Sequence, residues 1–370
     1  PVFGVKASNN TLPENTALGT TVGNLTATDP DGDLITYSIA SGNNNGAFAI
    51  DSATGSISLV KRLIYHTQSQ YTLKVRATDT GGLSDESTLT VAVTPVSAIT
   101  FNTVQWSTAA NQPYKISEGQ GKVVNGKLYT FGGFDSQKSG FTPTSRAYVF
   151  DPEANTWTAL APMPAMNGTT FGGVTHGGFT TDGTDIYFAG GYTSNSAGTG
   201  QIFGTKEVWK YIINENRYER LPDLPIAIAA GQLEYLNGRL HHIAGTNTSR
   251  TVDLGNHYVL DLDKLAIGWQ TLADLPIPRQ HSGSAVFEGK IYYMGGQTGH
   301  DAELVARADV HEYDPATNIW SEKADLPVPA NANGRGHISS SVVTFSNRII
   351  VLGGEIVHNA TRTNMVSAYT

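Results

Sequence analysis

Several side chains in this sequence have the type and spacing to act together at one point. His176 and His281 each stand fourteen residues before a glycine pair, Gly190-Gly191 and Gly295-Gly296. Glu118 holds the same place before Gly132-Gly133, and His337 lies two residues further upstream of Gly353-Gly354. Arg279 and Arg335 sit beside two of these histidines. Imidazole exchanges protons near neutrality, and a guanidinium fork grips a carboxylate in two places. A ring of Glu, His and Arg would therefore suit an anionic sugar or a peptide carboxylate. The loop carrying His300 and Asp301 is expected to join Arg279, His281, Arg335 and His337 in one ligand site. For each residue singly, the alternative is a strand start hydrogen-bonded to a neighbouring loop; convergence is what would make a site. A metal on His176 and His281 would need further ligands.

Composition narrows the chemistry. Cysteine is absent, which excludes disulfides, thiolate metal sites and cysteine nucleophiles. The net charge of −8 includes no basic block, so neither a nucleic-acid backbone nor an anionic membrane is an expected partner. No apolar run is long enough to span a membrane. No nucleophile elbow, phosphate loop or zincin motif occurs. With 40 glycines and only 15% charged residues, the chain has the balance of an all-β protein rich in turns. Sparse lysine and abundant Asn, Thr and Gly fit a bacterial secreted or cell-surface protein.

The elements that must position the candidate residues are set by an internal repeat. Trp106, Trp157, Tyr218, Trp269 and Trp320 recur at intervals of 51, 61, 51 and 51 residues, and Pro113, Pro164, Pro225, Pro276 and Pro327 keep step with them. Between the aromatics lie the glycine pairs, with Ala244-Gly245 as one remnant, each preceded by an apolar strand. This pattern resembles the kelch motif. The resemblance implies a β-propeller over residues 98–370, with four-stranded blades stacked about a channel and ligands met on one face. The glycines would then allow close approach of neighbouring blades and the Trp or Tyr would fill the space between them. The count gives five blades, the last closed by the strand around Trp106, or six or seven if the chain continues. Long polar loops follow the glycine pairs at 134–145, 192–205, 246–256, 297–307 and 355–363, where binding residues would concentrate. Galactose-oxidase-like members of this architecture need a Cys cross-linked to Tyr, which this chain lacks.

Residues 1–97 read differently. Short alternating runs at 34–39, 56–60, 71–77 and 87–93, separated by Gly, Asn and Asp clusters, predict an antiparallel sandwich. Leu12-Pro13-Glu14-Asn15, Ala27-Thr28-Asp29-Pro30-Asp31-Gly32-Asp33 and Ala77-Thr78-Asp79 resemble a cadherin repeat in order and spacing, implying a Greek-key β-sandwich. The resemblance also implies Ca2+ at Asp29, Asp31 and Asp79, at the junction with an upstream cadherin-like repeat, while Glu14 serves the downstream junction. Calcium takes six to eight oxygen ligands, hence the clustered carboxylates. The downstream acidic position reads Leu63-Ile64-Tyr65-His66, so that site is expected to lack its ligands. The alternative for the Asp29–Asp33 run is a turn.

Two functions follow from the whole. The first is an extracellular or cell-surface binding or adhesion module taking a carbohydrate or protein at the propeller channel face. The second is a carbohydrate-active enzyme, a lyase or epimerase on acidic sugars, with His281 or His337 as base and Arg279 or Arg335 holding the carboxylate. The first is favoured over the enzyme.

Overall fold

The computed structural model describes residues 1–65, 67–95, 107–300, 303–345, 348–358 and 360–369. The chain divides into two units, Pro1–Ala98 and Ile99–Thr370.

The first unit is a sandwich of short strands: β1 (Val2–Phe3), β2 (Ala7–Pro13), β3 (Thr21–Asn24), β4 (Ala27–Thr28), β5 (Ile35–Ser41), β6 (Phe48–Ile50), β7 (Ser56–Leu59), β8 (Gln70–Asp79) and β9 (Ser84–Thr94). One sheet runs β2-β9-β8-β5 and the other β3-β7-β6, with β1 pairing β4. All pairings are antiparallel except β2 with β9, where Leu12 lies opposite Val93. The alternation in β8 explains its placement: Tyr71, Leu73, Val75 and Ala77 point inward while their neighbours face water. They meet Val22, Phe48, Ile57 and Leu59 of the opposite sheet to form one apolar core. Phe48 and Tyr71 lock edge to face at 4.9 Å.

The second unit is a series of blade-like antiparallel sheets. Among the described residues, four are four-stranded and begin at Gln120–Val124, Gly178–Thr181, Gln232–Leu236 and Gly283–Phe287; a last sheet has three strands, Val342–Thr344, Ile349–Leu352 and Val366–Tyr369. Each sheet is too thin to bury its own faces, so apolar clusters lie between successive sheets. Phe131, Phe179, Phe188 and Tyr211 join the first two, and Phe287, Tyr292, Ile338 and Val351 join the last two.

Two hydrogen bonds recur between neighbouring blades. On the inner side, the N–H of the second glycine donates to a backbone carbonyl of the next blade: Gly133 to Val174, Gly191 to Ile228, Gly245 to Arg279 and Gly296 to Arg335, at 2.9–3.1 Å. On the outer side, the repeated aromatic donates to the preceding blade: Trp157 to Ala110, Tyr218 to Ala161, Trp269 to Pro222 and Trp320 to Ala273, at 2.8–3.0 Å. Ala110 presents its carbonyl at the repeat position of Ala161, Pro222 and Ala273, four residues after the aromatic position. Trp106 itself, expected to complete the final blade beside Val351 and Ala368, lies outside the described residues, as does most of the segment joining the two units.

The loops after the glycine pairs, expected to be long and polar, include short hairpin pairings. Val174–Thr175 pairs Tyr192–Ser194, which pairs Gln201–Ile202; Gln297–Thr298 pairs Val305–Ala306; Glu355–Val357 pairs Thr361–Arg362. Extended backbone thus carries side chains a fixed distance beyond the blades.

Close approach weighs differently on the first residue of each pair: the third blade places Ala244 there at φ +58°, whereas the first blade leaves no room for a Cβ. Gly132 has φ +59°, and a Cβ there would meet the Val174 carbonyl oxygen at 2.0 Å; Gly289 has φ +73° with nothing within 4 Å. Ala at either position carries the left-handed penalty of roughly 1–2 kcal/mol. We expect Gly289→Ala to cost no more than that, and Gly132→Ala to cost at least about 2 kcal/mol beyond it because backbone must move. Urea unfolding midpoints of the two variants decide this, and equal losses would show that close approach is unimportant.

Candidate functional site

The site is built from one repeated backbone position. Glu118, His176, Ala230, His281 and His337 precede the first strands of successive blades, and all adopt left-handed backbone with φ between +48° and +55°. Each blade hands on to the next here. The Ala230 N–H donates to the His176 carbonyl at 2.7 Å, His281 to Ala230 at 3.0 Å, and Ile338 to His281 at 3.2 Å. The Thr175 hydroxyl donates to the Glu118 carbonyl at 3.0 Å. His337 thus shares the position despite its two-residue offset. The two extra residues lie between His337 and the first strand, where the Ser341 N–H turns back to the Ile338 carbonyl at 2.9 Å.

The side chains consequently converge. His176 Nε2 lies 2.8 Å from a Glu118 carboxylate oxygen. Its ring stands 4.9 Å from that of His281 and 6.3 Å from that of His337, while His281 and His337 are 4.1 Å apart. His300 joins from the loop after the fourth glycine pair, 5.4 Å from His281. Asp301, expected beside it, lies outside the described residues.

A second layer comes from residues immediately after the glycine pairs. Tyr192 packs its ring 4.5 Å from His176. Gln297 and Glu355 occupy the same place in the fourth and fifth blades, and Gln297 Nε2 donates to Glu355 Oε2 at 3.0 Å. His358, three residues further on, puts Nδ1 3.0 Å from the same oxygen, and His337 Nε2 is 3.9 Å away. Glu355 and His358 escaped the sequence reading. Aligning the blades on the residue after each glycine pair would have exposed Glu355; His358 has no repeating counterpart.

Depth sets the electrostatics. His281 is 2% exposed at the floor. The side chains of His358 and Glu118 are 33% and 40% exposed at the rim. Burial, reinforced by His337, His176, His300 and His358, holds the His281 imidazole well below its ordinary range. Burial also lowers His337, to about 4, against the opposing pull of Glu355 and Glu118. Desolvation works to raise the Glu118 carboxyl, but its hydrogen bond to His176 and the charges of His176, His337 and His358 bring it below the usual value. At neutral pH the buried His281 and His337 imidazoles are therefore uncharged, and Glu118 is a carboxylate.

The arginines correct the sequence expectation. Arg279 and Arg335 are fully buried. The Arg279 guanidinium donates to the carbonyls of Gly295, Ile277, Tyr293 and Asp309 at 2.8–3.3 Å. Arg335 repeats the arrangement with Gly353, Val351 and Met365, adding the Ser367 hydroxyl. Neither guanidinium is available to the channel cluster, because its donors are engaged by backbone carbonyls and, for Arg335, also by the Ser367 hydroxyl. The positive charge expected from these two residues is accordingly withdrawn from the site, where Arg362 instead lies 3.6 Å from Glu355. We expect Arg279→Ala to lower stability by about 3 kcal/mol or more, since carbonyls left unpaired cost ~1–3 kcal/mol each. Thermal and urea unfolding measure this, and an unchanged midpoint would restore a ligand-binding role for the residue.

In the first unit, Asp29 and Asp79 converge: carboxylate oxygens of the two lie 2.9 and 3.7 Å from the Pro1 nitrogen. Asp31 stands on the same turn, its N–H donating to Asp29 at 2.9 Å. The donor set, converging hard carboxylates, fits calcium. Glu14 is held elsewhere: it accepts the Tyr65 N–H at 3.0 Å, and its own N–H bonds to Thr94, at the opposite end of β9 from Asp79. His66, read with the downstream site, lies outside the described residues.

Comparison with known proteins agrees with this architecture. Residues 8–94 match the cadherin domain model, 123–164 the kelch motif model, and 221–362 the N-acetylneuraminate epimerase model. The chain is 27% identical over 273 residues to the Kelch-like protein terF of Aspergillus terreus, covering 71% of this chain and 55% of that protein. It is 31% identical over 141 residues to N-acetylneuraminate epimerase of Yersinia enterocolitica, covering 37% and 33% respectively. Protocadherin Fat 1 of Homo sapiens is 41% identical over 101 residues, 26% of this chain and 2% of that protein. The chain thus spans about half of the first relative and a third or less of the others. The solved structure titled "Structure of YjhT" aligns with TM-score 0.55 and 13% identity, over 81% of this chain and 91% of that one. The chain therefore joins a cadherin domain to a kelch-type β-propeller.

Proposed function

We propose that the protein is a secreted or cell-surface binding module, bacterial by its composition, whose propeller receives a carbohydrate or protein ligand on the axial histidine and glutamate cluster. The observation that carries this reading is the convergence of Glu118, His176, His281, His300, His337, Glu355 and His358 from several blades, with exposure rising from floor to rim. Such a recess offers acceptors and adaptable donors on a rigid scaffold. The cadherin domain supports an adhesive, extracellular setting. The carboxylates of Glu118 and Glu355 beside the uncharged His281 and His337 suit a hydroxyl-rich or cationic group better than the anionic sugar expected from the sequence.

The enzyme reading retains one support, the match of residues 221–362 to the epimerase model, which includes His281, His300, His337, Glu355 and His358. Against it stands the loss of the proposed carboxylate clamp, since both arginines are engaged within their blades. A panel of neutral and acidic glycans tested on the full chain separates the readings. We expect neutral, hydroxyl-rich glycans to bind, and Glu118→Gln at the rim to weaken them about tenfold, the scale of a charge-assisted hydrogen bond. Preference for acidic glycans, with accelerated epimerisation of N-acetylneuraminate followed by NMR, would favour the enzyme instead.

For the cadherin domain the reading includes Ca2+ on Asp29, Asp31 and Asp79, with upstream cadherin-like repeats completing the ligand shell. Titration calorimetry should give a calcium heat in the wild type that Asp79→Asn abolishes. Equal heats in both would remove calcium from this position.

A further inference from the structure

Within the axial cluster one group of donors has the composition of a metal centre. We propose that His337, Glu355 and His358 bind a divalent transition-metal ion, zinc in preference to calcium or magnesium, and that His281 supports a water on the ion's open coordination position. The inference deepens the binding reading, on which its functional consequence rests.

Geometry comes first. One nitrogen from each histidine and a Glu355 carboxylate oxygen lie within 4.8 Å of one another. Ligands about 2.1 Å from a tetrahedral zinc stand roughly 3.4 Å apart. The present separations of 3.0 Å for His358 to Glu355 and 3.9 Å for His337 to Glu355 bracket that value. His358 follows the strand Glu355–Val357 directly, with a third of its side chain exposed.

The donor set selects the ion. Two imidazoles and one carboxylate form the three-ligand pattern of open, tetrahedral zinc sites. Calcium and magnesium require mostly oxygen ligands, and this group offers too few. The surroundings resemble those that orient ligands: Gln297 Nε2 donates to Glu355 Oε2 and fixes the carboxylate plane.

A second observation points the same way. His281 is 98% buried, and its Nε2 has no hydrogen-bond partner among the described residues. Its Nδ1 meets Gln280 Oε1, an amide oxygen that can only accept. Nδ1 therefore carries the proton and Nε2 keeps a lone pair facing the cluster. A buried acceptor without a donor is costly unless something supplies one. A water bound to an ion beside His337, whose ring is 4.1 Å away, would donate to it.

The test uses the full chain, dialysed against chelator and titrated with Zn2+ by calorimetry and with Co2+ by absorption. We expect one equivalent of either ion, a four-coordinate Co2+ spectrum, and a raised Tm with zinc. Glu355→Gln and His358→Ala should each weaken zinc at least tenfold, while Asp79→Asn leaves it unchanged. Absence of a Co2+ spectrum, or equal zinc affinity in wild type and both variants, would overturn the proposal. Glycan binding measured with and without chelator keeps the two ideas apart: zinc bound tightly with no ligand at the cluster would sink the binding reading and leave the metal site standing.

Discussion

The structure depends on a backbone hydrogen bond that crosses from each blade to the next. The N–H of the second glycine in a pair reaches a carbonyl of the following blade, as Gly133 reaches Val174 and Gly296 reaches Arg335. In the first blade Gly132 lies almost against that carbonyl, which excludes any Cβ there, whereas Ala244 fills the same place with the Gly245 bond to Arg279 intact. Blade spacing near the axis is therefore set by main chain, independent of side-chain size. At the outer edge the repeated Trp or Tyr spans a wider gap and closes it with a ring N–H or hydroxyl donated to the preceding blade. A wedge-shaped interval, narrow inside and filled by an aromatic outside, turns stacked sheets around an axis.

That constraint also creates the recess. Because the blades meet through backbone near the axis, the residue before each first strand is forced into left-handed conformation, and its side chain is directed toward the axis. Five residues of different type share this geometry: Glu118, His176, Ala230, His281 and His337. Polar side chains at four of them are unnecessary for the turn, since Ala230 makes it with a methyl group. Desolvating several imidazoles costs stability, so their presence at one point is difficult to attribute to packing.

Arginine serves the opposite purpose here. Arg279 and Arg335 stand two residues from axial histidines, yet each runs into its own blade and ties the glycine-pair carbonyl to the neighbouring strand. A guanidinium with several carbonyl partners satisfies acceptors that a four-stranded sheet leaves beyond its ladder. The same adjacency in sequence thus separates one group for structure and one for the channel.

Much of this is legible in the sequence alone. Glycine pairs and aromatics in step define the propeller because they repeat, and the alternation of Tyr71, Leu73, Val75 and Ala77 defines a sandwich strand because pleating has a period of two. The fourteen-residue spacing likewise placed Glu118, His176 and His281 together, since equal steps from an equivalent glycine end at equivalent points around the axis. Direction was beyond its reach. Whether Arg335 turns inward or into its blade depends on which carbonyls lie within a few ångströms, and those belong to Val351, Gly353 and Met365, brought near by strand pairing. The meeting of Glu355 and His358 with His337 depends in the same way on a hairpin folding back over the channel. Repetition along the chain determined which elements exist and in what order; the placement of unlike side chains in one small volume was decided only when the sheets packed, because short-range contacts carry no period.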